Sequence, residues 1–231
     1  MRANRGSEAS RDAVAGRLGM QVAAGIERAV ALSEELPMKE QIGLRQAFID
    51  LVKASSTAGV PVVLIGGFAR NVYVRPRTTD EIDFLIQSEE DAASLVRATE
   101  ATFAVTREAG LVVGLRHHST GVAVDLLVAE HAFEREVFRH ATSLAVFGCP
   151  TLVIPPAELA AMKVEAASDP TRPEDFGQVV TLVLEGGADP EVVERFVLRD
   201  LPAPAQDTWR SIRKAVERAR SSAPKTRRRR G

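Results

Sequence analysis

Glu81 and Asp83 stand one residue apart in the run Glu81-Ile82-Asp83-Phe84-Leu85-Ile86, a short way after the pair Gly66-Gly67. In a strand alternate residues face the same side, so the two carboxylates project together while Ile82 and Phe84 point into a core. Two acids held side by side repel and desolvate each other, and a cation is the usual means of neutralising them. The glycines add a second element. A tight turn that opens a helix exposes backbone N–H groups and the positive helix end, which suits a phosphate. A third acid, Asp125, lies among Val122, Val124, Leu126 and Leu127, where burying a carboxylate is costly unless an arginine or a metal meets it. If its strand lies beside the Glu81–Ile86 strand, three carboxylates converge, and two cations about 4 Å apart find bridging and flanking ligands. Acids that bind metal next to a phosphate cradle imply phosphoryl or nucleotidyl transfer.

The elements that must position these residues are legible as well. Val62, Val63, Leu64 and Ile65 read as an apolar strand, followed by the Gly66-Gly67 turn and a short helix from Phe68 to Val74. A basic, hydroxyl-rich loop (Arg75, Arg77, Thr78, Thr79) leads into the acid strand. Upstream, apolar residues at helical spacing predict helices over Arg11–Glu35 and Lys39–Ser56. Downstream, Ser88 reads as an N-cap, with Glu89, Glu90 and Asp91 in the first turn of a helix running to Ala101. Three extended segments follow, Phe103–Thr106, Leu111–His117 and Val122–Val128, then a helix over Ala132–His140 and a strand–turn–strand over Leu144–Ile154. From Pro156 the pattern is helical: 156–167, 172–184, 190–198 and 205–220, with Leu201–Ala205 as a linker. The expectation is an α+β chain: an N-terminal helical extension (1–37), a core of mixed sheet with flanking helices (38–154), a helical C-terminal half (155–220) and a basic tail (221–231).

With 231 residues the chain suits one large or two small domains, and 45% hydrophobic against 26% charged residues is the balance of a soluble protein. The formal net charge of −1 gives no global attraction to nucleic acid or membrane. That sum hides Lys225 and Arg227–Arg230, crowded at the C-terminus. No apolar stretch is long enough to span a bilayer, and no apolar signal-peptide core follows Arg2 and Arg5. Cys149 is the single cysteine, which excludes an intrachain disulfide and argues against a cysteine-based zinc site. The chain reads as cytoplasmic.

The order Gly66-Gly67, Glu81-Ile82-Asp83, then Asp125 resembles the DNA polymerase β-like nucleotidyltransferase superfamily. Its signature is Gly-Gly or Gly-Ser after a strand, an acid-x-acid strand, and a later strand with a third acid. Within it, the Arg77-Thr78-Thr79 loop, Lys163 in the Leu159–Lys163 segment and the Arg172–Asp175 segment resemble the AbiEii-type toxin nucleotidyltransferases. The resemblance spans about 61–184. It implies a polymerase β-like fold, Mg²⁺ or Mn²⁺ held by Glu81, Asp83 and Asp125, and catalysis by Asp83, Asp125 and Lys163. It also implies an NTP such as ATP bound by Gly66, Gly67, Arg77, Thr79, Lys163 and Asp175, an RNA or tRNA acceptor, and a cognate antitoxin. One departure stands out: the family has Asp first in the acid pair, whereas this chain has Glu81, preceded by Asp80. The alternatives are a transferase acting on a small molecule of the antibiotic type or on a protein, and a relative that binds nucleotide or RNA without catalysis.

Each residue also has a plain structural reading. The diglycine serves any strand–helix turn. Asp125 could meet an arginine, Lys163 could be solvated on an amphipathic helix, and Asp175 could serve the start of its helix. Arg75 and Arg77 bind phosphate or face water. His117 and His118 fall on opposite sides of a strand and cannot join one site, so a hairpin edge is the expected place for them. Tyr73 and Trp209 are too few for base stacking. The arginine run anchors RNA or solubilises the tail.

Overall fold

The computed structural model describes residues 38–77, 79 and 81–222. The predicted helix Arg11–Glu35, Thr78, Asp80 and the C-terminal arginines lie outside the described residues. Contacts divide the chain into two compact units, one ending at Pro155 and the other starting at Pro156.

In the first unit, helix α1 (Met38–Ala58) is followed by strand β1 (Val62–Leu64), helix α2 (Gly66–Tyr73), strand β2 (Glu81–Ile86) and helix α3 (Glu89–Thr99). Strands β3 (Phe103–Ala109), β4 (Val112–His117) and β5 (Ala123–Val128) come next, then α4 (Ala132–Val137) and the hairpin β6 (Thr142–Val146) and β7 (Cys149–Val153). Seven strands form one sheet in the order β3-β4-β5-β2-β1-β7-β6. It is mixed: β2 runs parallel to β5 and β1 to β7, while the other neighbouring pairs are antiparallel. The α+β class with a mixed sheet and flanking helices is as expected.

The alternation in β2 sorts Glu81 to Phe84 by face, while Leu85, on the face of the acids, is buried as well. Ile82, Phe84 and Ile86 are fully buried, and the Phe84 ring lies 5.6 Å from Phe48 of α1. Phe147, itself at φ 50°, forms the β6–β7 turn with Gly148 and adds its ring edge-on to Phe48 at 5.4 Å. This aromatic cluster holds one face of the sheet, so the opposite face of β2 carries Glu81 and Asp83. At the end of β2, Ser88 accepts a hydrogen bond from the Asp91 N–H at 3.2 Å, the N-cap that its residue type predicts.

The second unit is helical: α5 (Pro156–Ala166), α6 (Pro173–Leu184), α7 (Pro190–Asp200) and α8 (Ala203–Ser222). Val164, Val179, Leu182, Val193, Val197, Trp209, Ile212 and Val216 are buried. The expected linker Leu201–Ala205 shrinks to Leu201-Pro202, because α8 starts at Ala203 with Pro204 in its first turn, where a missing N–H costs nothing. Among the described residues no helix is long and apolar enough to cross a membrane.

Candidate active site

The expected strand pairing is present. Strands β2 and β5 are parallel neighbours with Asp83 in register with Asp125 and Glu81 in register with Ala123. Residues opposite each other on parallel strands share a face, so the two aspartates project side by side from backbones about 4.8 Å apart. Glu81 faces the same way one pleat earlier and is exposed.

The aspartates nevertheless lean apart, each over a glycine. Gly66, at φ +64°, lies directly beneath the Asp83 side chain: a Cβ placed there would sit 2.6 Å from the Asp83 Cγ and 2.8 Å from its Cβ. That conformation and that space both require glycine. Asp83 is thereby brought to the first turn of α2, where the helix end favours negative charge. Asp125 leans the other way, toward β4. Its Oδ1 lies 3.3 Å from where a Cβ on Gly114 would be, and its Oδ2 accepts a hydrogen bond from Arg107 Nη2 at 2.7 Å. Because the order is β3-β4-β5-β2, Arg107 on β3 reaches Asp125 from the side opposite Asp83. The guanidinium does not fill the space between the two acids.

Among the described residues no three His, Cys, Asp or Glu groups are gathered closely enough to hold a metal by themselves. The structure brings together Asp83 and Asp125 and leaves Glu81 apart. Two hard carboxylates on one face still fit Mg²⁺ or Mn²⁺. Mg²⁺ is commonly held by one or two carboxylates and completed by substrate phosphates rather than by an all-protein cage.

Gly67 is explained by Thr79, whose Oγ1 lies 2.9 Å from where a Gly67 Cβ would stand. Thr79 also donates its hydroxyl to the Glu81 carbonyl at 3.2 Å, tying the loop to the start of β2. Two side chains overlooked in the sequence fix the rest of the loop. Asn71, 1% exposed, donates to the Arg77 carbonyl at 2.9 Å and accepts from the Arg77 N–H at 3.1 Å. Arg70 Nη1 donates to the Arg75 carbonyl at 3.0 Å. With their backbones held, Arg75 and Arg77 keep exposed side chains. The structure buries Arg70 and Asn71 within the run Phe68–Val72, and no local sequence signal marks this clamp.

Lys163 and Asp175 meet inside the helical unit. Lys163 Nζ donates to Asp175 Oδ1 at 2.9 Å, and both residues are buried. Gln178 Nε2 donates to the same oxygen at 3.0 Å, and Arg172 Nε lies 3.0 Å from Oδ2. Nearby Asp169 has its carboxyl held below the usual range by the Thr171 backbone N–H and then by the Thr171 hydroxyl.

The histidines divide as their strand positions require. His117 is buried, with Nδ1 2.8 Å from Thr120 Oγ1 and Nε2 3.2 Å from Asp50 Oδ2, and its ring packs on Phe103; His118 is exposed. His117 therefore ties α1 to the β4–β5 turn and is no mere hairpin edge.

No protein-family model matches the chain and no curated protein matches it. Solved structures do. An antigenic nucleotidyltransferase-like protein from Paracoccidioides brasiliensis aligns with a TM-score of 0.52 at 15% identity, over 77% of this chain and 90% of its own. The solution structure of the antibiotic-resistance factor ANT(2'')-Ia aligns with a TM-score of 0.51 at 17% identity, over 77% of this chain and 97% of its own. The crystal structure of ANT(2'')-Ia with adenylyl-2''-tobramycin aligns with a TM-score of 0.50 at 17% identity, over 73% and 97%. Such identities carry the fold alone, and the fold they carry is that of the nucleotidyltransferases, as the polymerase β-like motifs implied.

Proposed function

We propose that this protein is a nucleotidyltransferase that moves a nucleoside monophosphate from an NTP to an acceptor hydroxyl. The observation that carries the reading is the in-register pair Asp83 and Asp125, on one face of neighbouring parallel strands, with Asp83 at the start of α2. Asp83 and Asp125 would hold Mg²⁺ or Mn²⁺, and Glu81, one pleat away, is the third ligand that the family motif implies. A divalent cation there would neutralise phosphate charge and lower the cost of developing charge on the leaving group. The acceptor oxygen attacks the α-phosphorus, the bond to the bridging oxygen breaks, and pyrophosphate leaves. The acceptor proton passes to the Asp125 carboxylate. Gly66, Gly67 and Thr79 shape the turn against which the triphosphate would lie, and Arg77, its backbone held by Asn71, offers it an exposed cation. The resemblance alone gives Lys163 and Asp175, paired within the helical unit, a further nucleotide-binding role.

The narrower likeness to AbiEii-type toxins, resting on the Arg77–Thr79 loop, Lys163 and Arg172–Asp175, supports an RNA acceptor such as a tRNA end and an antitoxin partner. A small-molecule acceptor of the aminoglycoside kind is the second reading, favoured by alignment over 97% of the ANT(2'')-Ia chain. Incubation with labelled NTPs, Mg²⁺ or Mn²⁺, and either total tRNA or aminoglycosides separates the two. Transfer that disappears in Asp83→Asn and Asp125→Asn supports the reaction. Transfer that survives both substitutions overturns it.

A further inference from the structure

Four strands contribute to one transverse row: Arg107 on β3 pairs with Gly114 on β4, Gly114 with Asp125 on β5, and Asp125 with Asp83 on β2. Three separate features place Arg107 in that row. A register shift between Val105 and Arg107 inserts Thr106 as an extra residue, and the Thr106 hydroxyl donates to the Gly114 carbonyl at 3.1 Å. Such a bulge re-aims the side chains that follow it. Having no side chain, Gly114 lets its neighbours close over β4: a Cβ there would meet the Arg107 Cβ at 3.2 Å and the Asp125 Oδ1 and Thr106 Oγ1 at 3.3 Å. Across the gap Arg107 Nη2 bonds Asp125 Oδ2 at 2.7 Å.

We propose that Arg107 is a positioning residue for the acid pair: it holds the Asp125 carboxylate over Gly114, away from Asp83, and competes with the divalent cation for it. The inference rests on the metal-binding reading above. Without a cation, two carboxylates on neighbouring strands repel, and the guanidinium gives Asp125 an alternative partner. Ligation of a cation by both acids would draw Asp125 back toward β2 and release Arg107, whose side chain is 54% exposed and can turn into solvent. Neither Arg107 nor Gly114 belongs to the acid or glycine motifs, yet together they set how readily the pair closes on a cation.

The test is Mn²⁺ binding to the full chain, followed by electron paramagnetic resonance without nucleotide. Arg107→Met keeps the aliphatic stem and removes the charge. Since exposed ion pairs contribute about 0.2–1 kcal/mol, Arg107→Met should bind Mn²⁺ about one-and-a-half- to fivefold more tightly than the wild type. Arg116→Met is the control. Arg116 pairs with Ala123 one pleat away on the same face and bonds the Gly121 carbonyl at 2.8 Å. A general field effect moves both variants alike, whereas competition for Asp125 moves Arg107→Met alone. Mn²⁺ binding that Asp83→Asn abolishes but Arg107→Met leaves unchanged, weakens, or strengthens no more than Arg116→Met overturns this inference and spares the metal site. Absence of Mn²⁺ binding in both the wild type and Arg107→Met overturns both.

Discussion

Gly66→Ala tests the link between the diglycine turn and the acid pair. Two costs add at this position. An L-residue in the left-handed region costs about 1–2 kcal/mol, and Gly66 has φ +64°. The new methyl group would also overlap Asp83, with the Asp83 Cγ at 2.6 Å and Cβ at 2.8 Å, distances that real Cβ atoms do not tolerate. Forcing extra volume into a packed site costs about 1–3 kcal/mol. The sum is about 2–5 kcal/mol, enough to be a large share of a domain's net stability.

A double-mutant cycle separates the two costs. Asp83→Gly removes the three atoms nearest the new methyl group, so in that background Gly66→Ala should cost only about 1–2 kcal/mol, the backbone share. Equilibrium urea denaturation of the wild type, both single variants and the double variant, with unchanged slopes, gives the coupling. A coupling of about 1–3 kcal/mol means that glycine is kept at position 66 for the Asp83 side chain as well as for its backbone angle. Additivity to within about 0.5 kcal/mol would refute the reasoning, because residues in steric conflict do not add.

Other perturbations carry equally direct expectations. Asn71→Ala removes both hydrogen bonds to the Arg77 backbone and should cost about 1–3 kcal/mol by denaturation, with weaker NTP binding by calorimetry as Arg77 loses its fixed place. Lys163→Met leaves the buried Asp175 carboxylate short of a partner and should destabilise the chain by about 3 kcal/mol; an unchanged melting temperature would mean that Arg172 and Gln178 suffice. Glu81→Asp shortens the reach of the exposed acid by a methylene and should lower the transfer rate by on the order of ten- to a hundredfold; a large gain would show that the natural glutamate impairs the reaction. The Asp169 carboxyl should titrate below the usual range in a carboxylate NMR experiment, and Thr171→Ala should raise it. Its depressed value in the folded chain gives a stabilisation present above the ordinary carboxylate value and lost as pH falls through the folded one.

The core of the site is readable from sequence because it obeys local rules. Strand β2 runs from Glu81 to Ile86 as its alternation predicts, and Ser88 caps α3 as its residue type predicts. Asp125 is identifiable as an acid in an apolar strand, and its in-register place beside Asp83 follows once β5 joins β2. The parts that escape are those set by register and tertiary contact. Arg107 falls beyond the expected end of β3 at Thr106, and a bulge leaves no mark in hydrophobic periodicity. Gly114 does leave one: a glycine inside a strand pattern signals close approach by another group. Arg70 and Asn71 look like the wet side of a short helix, because their carbonyl partners lie in a loop without a periodic pattern. The Lys163–Asp175 bond joins two different helices, which no spacing rule for a single helix can foresee.

The two aspartates explain each other's surroundings. Placed alone on adjacent strands they would raise each other's cost of ionisation and burden the fold. The chain answers on both flanks with a glycine and a source of positive potential: Gly66 and the start of α2 for Asp83, Gly114 and Arg107 for Asp125. Either flank alone would relieve the repulsion. Having both leaves the acids parted, each leaning over its own glycine on the face away from the Phe48–Phe84 core. A structural acid pair needs no such arrangement, since a single arginine between the carboxylates would neutralise both. With Arg107 on the far side of Asp125, two hard oxygen ligands stand on neighbouring strands without that guanidinium between them, a donor set of the kind that suits Mg²⁺ or Mn²⁺.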